Sequence, residues 1–491
     1  MVLKRSLTSF DLTAIVVGSI VGADIYIASS LTAGMLGPAA LLVWVAAGAA
    51  ATVIALVFAY CSYYVPRVGG PFAFVSAAFD DFFGFLTGWS IWIAEVLSLP
   101  VFAIAFVQYL QYFTGPLTTP EQILIKAAFI IILTTINIFG VKAAGRVNDI
   151  LTIVKLLPLI LLILVGIVFI IMHPSTFLAN YTPFAPLGFN AFGTALVLIF
   201  WAYVGFEMGT FPSAEVINPR KTVPRAIITG MIIVMVFYLS TNFIVYSILP
   251  WQQLGATPTP LILAISMTVV GGAGVIIMGV GALLSVSGSN ESGTLGTARL
   301  SYAMAIDGLF PKIFAATHKK YQTPYGALII QGVIAFSLAT LTTLTNLIAF
   351  SVFNLAFAFL LTCLALIVLR KHSTHHLRGQ HILPYIGILI CFYLIYSTAQ
   401  SSILIGTIQV SYLIIGGLVI LAGIPIYIYF SPKCDIHHLK NLFTSEQEVF
   451  IRALSHKEHF LAHLLDHLHR LYHKIRKTKD DDETQTLNRP N

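Results

Sequence analysis

Charge is what this chain has least of. Asp, Glu, Lys and Arg make up 10% of its 491 residues while hydrophobic residues make up 57%, and mean hydropathy is +0.88. Soluble domains carry roughly 25% charged residues, so a soluble globular protein is excluded and a polytopic membrane protein is expected. Cysteine is sparse too. Cys61, Cys363, Cys391 and Cys434 stand in or beside apolar segments without framework or metal-ligand spacing, so they support neither a disulfide scaffold nor a zinc site and do not report a redox compartment. The alternating ten-residue segments of a transmembrane β-barrel are missing. So is a small-residue cleavage site after the basic N-terminus, and the first apolar segment therefore reads as retained. No Ser/His/Asp, metal-ligand or phosphate-cradling constellation lies in the apolar segments; no enzyme, cofactor or resident metal is expected.

What is present is a series of long apolar runs. A helical span needs about 20 such residues, and twelve segments qualify: 11–36, 40–65, 82–112, 123–141, 149–172, 188–213, 225–249, 267–298, 326–345, 347–369, 382–400 and 409–430. Lys and Arg fall almost wholly on one side of these segments, apart from Lys126 at an outer edge and Lys155 inside one. By the positive-inside rule both termini are cytoplasmic, in the plasma (inner) membrane. The net charge of +7 follows from that rule and does not indicate a nucleic-acid partner.

The tail, 431–491, is different material. Phe450, Leu454, Leu461, Leu464, Leu465, Leu468, Tyr472 and Ile475 recur at helical spacing, predicting an amphipathic helix. His456, His459, His463 and His467 line a separate stripe of it. That stripe is either a histidine-rich solvated or membrane-surface face, or a site that binds zinc or senses pH; its partner is open. Residues 479–491 are polar enough to be disordered.

Ionisable residues within the spans are few: Asp24, Glu95, Lys155, Glu207 and Glu291. An acid or base at that depth costs a few kcal/mol at least if it faces lipid, so each marks a functional position by default. Asp24 follows Gly18 and Gly22, and Glu207 follows Gly205. Glycine weakens a helix, so the first and sixth spans share one pattern, a glycine-interrupted helix beside a carboxylate. Weak points five spans apart suggest two five-helix repeats with a site between them, where broken helix ends offer N–H groups to anions and C=O groups to cations.

Several motifs together resemble the amino acid–polyamine–organocation permeases, whose fold is the inverted repeat of the bacterial leucine transporter. Gly22-Ala23-Asp24-Ile25-Tyr26 falls on the family's first-span G-x-G-I-F signature. Phe200-Trp201-Ala202-Tyr203-Val204-Gly205-Phe206-Glu207, followed by Glu215 to Ala226, is similar to its sixth span and the loop beyond. Arg299 to Pro311 and Thr323-Pro324-Tyr325 resemble the stretch after the eighth span.

The resemblance covers residues 6 to about 430. It implies an all-α permease domain (1–430) of twelve transmembrane helices with broken helices 1 and 6. Repeat 1 would cover about 11–172, repeat 2 about 188–369, and two extra helices 382–430. It implies alternating access, with a substrate carboxylate received at the backbone of Gly22 and Ala23, and with Trp201 and Phe206 as gating aromatics. Lys155 matches the fifth-span lysine of proton-coupled relatives, with Ser285 and Ser287 as hydroxyl neighbours.

Two departures matter. Asp24 replaces the second glycine of the signature, and Glu291 stands where asparagine is common. Both add negative charge near the expected site, and with Glu207 they favour a cationic amine, polyamine or basic amino acid. Three alternatives stay open: Asp24 paired to Lys155 with a neutral amino acid as substrate, Glu291 as the proton carrier, or acids that coordinate an inorganic cation such as potassium. An amine sensor signalling through its tail is a rival from another class. Glu95 has no assigned role.

Overall fold

Lipid offers no partners to backbone N–H and C=O groups, so a spanning segment must satisfy its own, as a helix does. The computed structural model describes residues 7–66, 69–139, 144–210, 216–372, 379–400, 402–405 and 408–430. Its helices are α1 (Ser9–Ile20), α2 (Ala23–Leu36), α3 (Ala40–Tyr64), α4 (Pro71–Ala78), α5 (Asp81–Thr114), α6 (Thr119–Phe139), α7 (Ala144–Met172), α8 (Pro174–Asn180), α9 (Phe192–Ala202), α10 (Pro219–Ile248), α11 (Trp251–Ala256), α12 (Pro260–Ser266), α13 (Gly271–Ile306), α14 (Tyr325–Leu341), α15 (Leu344–Leu369), α16 (Leu383–Ala399), α17 (Tyr412–Leu421) and α18 (Gly423–Phe430). Among the described residues, nine helical stretches are long and apolar enough to cross a membrane, the stretch from α2 through α3 counting as one. α1, α14 and α16 are apolar but shorter.

Local chemistry sets the boundaries. Thr8 caps α1 through a reciprocal box, its hydroxyl accepting from Asp11 N (3.4 Å) while Asp11 Oδ2 accepts from Thr8 N (2.8 Å). Leu7 then accepts from Ile217 N (3.0 Å), tying the entry of α1 to the segment before α10. At the other end, Ser402–Ile405 and Ile408–Ser411 pair antiparallel ahead of α17 in an otherwise helical fold. The β-branched run there suits a strand, and the Ser411 side chain accepts from Leu413 N (3.2 Å), capping α17 at Tyr412.

Residues Met1–Phe430 form one compact unit. Small side chains let helices approach closely inside it. Gly48 of α3 faces Tyr203, and a Cβ there would lie 3.1 Å from the phenol ring; Gly281 of α13 faces Pro158 of α7. α5 packs against α13 and α15, α10 against α1 and α3, and α7 against α1 and α13, which encloses both glycine-interrupted segments. Large apolar side chains such as Leu124, Ile131, Leu164, Ile171, Val236 and Leu389 point outward, the surface lipid would cover. The tail expectations, including the histidine stripe, lie outside the described residues.

Candidate functional site

α1 ends at Ile20 and α2 begins at Ala23, leaving Val21 and Gly22 as a break with both ends buried. A helix end strands about four carbonyls, and inside a membrane each needs a partner. Val17 O accepts from Val21 N (2.9 Å). Gly18 O accepts from Lys155 Nζ (3.1 Å), Val21 O from Ser289 Oγ (2.9 Å) and Ile20 O from Tyr238 OH (3.2 Å). Three other helices, α7, α13 and α10, thus hold the broken end in place.

The two glycines of this segment have different parts. Gly22 is the break: its φ of −144° and ψ of −137° form the cap of α2, and a Cβ there would lie 2.9 Å from Ser289 Cβ and 3.0 Å from Phe102 Cε1. Gly18 is not a break residue. It stays within α1 and contributes its carbonyl.

The second break follows α9, where the chain turns through Tyr203–Gly205 into a single 3₁₀ stretch, Phe206–Thr210. Gly205 has φ +120° and packs on the other break; a Cβ there would sit 3.0 Å from the Ser19 carbonyl carbon and oxygen. Only glycine fits this backbone at this distance. Glu207 accepts from Gly205 N on Oε2 (3.1 Å) and is fully buried, while its Oε1 has no hydrogen-bond partner among the described groups. Its carboxyl lies within hydrogen-bonding reach of Glu95 on α5.

Between the breaks is a cavity lined by Ser19, Ile20, Asp24, Glu95, Ser98 and Leu99, with Phe102, Trp201, Val204, Gly205, Met208, Ser289 and Gly293. The cavity has a volume of about 50 Å³. One water needs about 10–15 Å³ of such space, so a few waters or a small organic solute fit. Trp201 donates Nε1–H to Ser98 Oγ (3.0 Å), and its ring is 6.0 Å from that of Phe102. Ser98 Oγ lies 2.9 Å from Ser351 Oγ on α15, which fixes this wall.

Asp24 lines the cavity from the first turn of α2. Its Oδ1 accepts from Gly22 N (2.7 Å) and its Oδ2 from Tyr238 OH. Lys155 donates to Gly18 O (3.1 Å) and Ser289 Oγ (2.9 Å). The direct hydrogen-bond partners of Asp24 and Lys155 are therefore different groups, while the two side chains still interact through charge. Ser289 holds Lys155 from α13, whereas Ser287 bonds Leu283 O (2.7 Å). The expectation of Ser285 and Ser287 is corrected to the next turn of the same helix face, where Gly288 gives the lysine stem room: a Cβ there would lie 3.0 Å from Lys155 Cε.

Three further expectations change. Phe206 does not line the cavity. It is fully buried, with its ring 5.5 Å from those of Phe58 and Phe359, because the 3₁₀ stretch turns it into the aromatic core. Glu291 is absent from the cavity wall, but on α13 it lies near enough to Lys155 to interact with it through charge. Gly22 and Ala23 are not among the lining residues. Sequence reasoning missed Ser98, Phe102, Met208, Tyr238 and Ser289, and left Glu95 without a role although it lines the cavity.

Apolar helices interrupted around a cavity that carries carboxyl groups fit a multi-pass membrane transporter. The family model described as "Amino acid permease" matches residues 7–424, and the chain belongs to that family, within the amino acid–polyamine–organocation superfamily. It is 29% identical over 419 residues to a branched-chain amino acid permease of Bacillus subtilis (80% of this chain, 88% of that one). To an arginine/ornithine antiporter of Latilactobacillus sakei it is 28% identical over 429 residues (85% and 88%). To cationic amino acid transporter 4 of Mus musculus it is 28% identical over 385 residues (75% and 60%). The family and these relatives are transporters and not enzymes.

Proposed function

We propose that this permease moves a cationic amine or basic amino acid across the plasma membrane by alternating access, with both termini cytoplasmic. Twelve helices would form two inverted five-helix repeats plus two. The observation that carries the reading is the cavity at the meeting point of both breaks, walled by Asp24 and Glu95 and backed by Glu207. Carboxyl oxygens accept hydrogen bonds and an ammonium donates three, so the wall suits a cation. Trp201 offers an aromatic face, worth about 0.5–2 kcal/mol to a cation depending on its desolvation.

Lys155 is the coupling group in this reading. Its ammonium holds Gly18 O, an orphan carbonyl of the break, and so favours the arrangement in which α1 and α7 are tied. Loss of its proton, or its neutralisation during exchange, removes a charge-assisted bond and frees α1 to move. Coupling is thus to protons, or the protein runs as an exchanger.

Uptake into proteoliposomes tests this. Labelled putrescine, arginine and alanine are compared with potassium, with and without a pH gradient. Saturable uptake of an amine or amino acid is expected, with cations preferred over alanine. Movement of the inorganic ion alone would overturn the assignment.

A further inference from the structure

We infer that the cavity is built for an organic amine that carries no carboxylate, because the side chain of Asp24 already occupies the anion-binding end of the first helix break. The inference rests on the permease reading and narrows its substrate class.

The start of a helix is an anion site, with free N–H groups and the positive end of the helix dipole. α2 starts inside the protein, so its first turn is where a ligand's carboxylate would be drawn. Here that position is filled from within. Asp24 belongs to this first turn, its carboxyl takes the Gly22 N–H at 2.7 Å, and its other oxygen is held by Tyr238. Tyr238 is itself locked, fully buried with its ring 5.6 Å from Trp44 and 5.3 Å from Tyr203. Space is closed as well as charge: at Gly22 even a Cβ would meet Ser289 and Phe102 at 2.9–3.0 Å.

The rest of the wall agrees. No Lys or Arg is among the lining residues, and Lys155, the basic group nearest the break, is committed to Gly18 O and Ser289 Oγ. Three donors on the wall are engaged within the protein: Trp201 Nε1 on Ser98, the Ser98 hydroxyl with the Ala94 carbonyl (3.0 Å) and Ser351, and Ser289 on Val21 O; Ser19 adds one further hydroxyl. Beside them the wall is rich in carboxyl oxygens: Glu95 and Glu207 lie within hydrogen-bonding reach and so share a proton, and Glu207 Oε1 is fully buried without a hydrogen-bond partner among the described groups. A carboxylate entering this space would face mostly carboxyl oxygens and find no counter-ion on the wall, whereas an ammonium supplies donors to match those acceptors. Ile20, Leu99, Phe102 and Val204 give its carbon chain an apolar bed.

The test uses pairs of compounds that differ only by the carboxylate: putrescine against ornithine, and agmatine against arginine. Each is labelled and its uptake measured in proteoliposomes of the full chain. The amine of each pair is expected to have an apparent affinity about tenfold or more above that of its amino acid. Asp24→Gly, which empties the anion site, should close or reverse that ratio; Asp24→Asn, which keeps the shape and removes the charge, should narrow it if the glycine variant does not fold. Equal or better uptake of ornithine and arginine by the unmodified protein would overturn the inference and leave the permease reading standing. A ratio unchanged in the variants would overturn the role of Asp24. Uptake of none of the four, with potassium moving instead, would overturn the permease reading itself and this inference with it.

Discussion

Lys155→Met removes the ammonium and keeps most of the stem that packs on Gly288. In the structure the variant strands Gly18 O, now 3.1 Å from the ammonium. Ser289 loses one partner but keeps Val21 O at 2.9 Å, and its hydroxyl lies 3.4 Å from Gly18 O as a weak substitute. A hydrogen bond to a charged group contributes about 1.5–3 kcal/mol. Burying an ammonium is itself costly, so the global stability change is smaller than this figure. The local effect falls on one arrangement of α1 against α7, and a shift of about 1.5–3 kcal/mol changes the ratio of two conformations by roughly tenfold to a hundredfold. The expected result is therefore a split phenotype. Substrate affinity, read by thermal shift, stays within about threefold, because Lys155 is not on the cavity wall. Exchange of labelled for unlabelled substrate persists, while accumulation driven by a pH gradient is lost. Gradient-driven accumulation at the unmodified rate would refute the coupling argument; loss of both exchange and binding would show that the lysine is only structural.

Further outcomes follow from the same geometry. Gly205→Ala forces a side chain into a φ of +120° and onto the Ser19 backbone at 3.0 Å, a strain of about 1–3 kcal/mol expected as a lower unfolding midpoint; an unchanged midpoint would contradict the tight crossing of the two breaks. Glu95→Gln puts amide donors into an acceptor wall and should weaken a cationic substrate about tenfold or more in competition assays, with the midpoint of the empty protein little changed. Trp201→Phe loses the 3.0 Å bond to Ser98, about 1 kcal/mol, read as roughly a fivefold rise in KM. Deletion after Ser431 should leave transport intact, since every group assigned here lies before it; a truncated protein without uptake would place the tail in the mechanism.

The architecture was legible where chemistry is local. Low charge and long apolar runs define a membrane protein, and Gly22 before Asp24 and Gly205 before Glu207 mark the interruptions, because glycine and acid in one helix turn conflict with an uninterrupted span. Long-range partners were not legible. Tyr238 is one of 20 tyrosines, and nothing around it in the chain points to an acid on α2. Phe206 carries the same apolar signal whether it faces a cavity or a core, and only the 3₁₀ turn decides. Ser285 and Ser289 share one face of α13 and Ser287 lies on another, so choosing between them needs both the rotation and the axial offset of α13 against α7. Gly18 looks like a break because glycine is a poor helix former, yet the helix tolerates it and uses its carbonyl.

The central claim is that substrate occupies the cavity between the two breaks. Gly293 on α13 lines that space, and a Cβ there meets only Leu99 Cδ2, at 3.6 Å, so Gly293→Leu directs its bulk into the cavity without disturbing the packing behind it. The most direct measurement is uptake by this variant in proteoliposomes, paired with its unfolding midpoint. The expected result is a midpoint close to that of the unmodified protein, with loss of uptake for every substrate the unmodified protein carries. A stable variant that transports at the unmodified rate and affinity would place the substrate elsewhere.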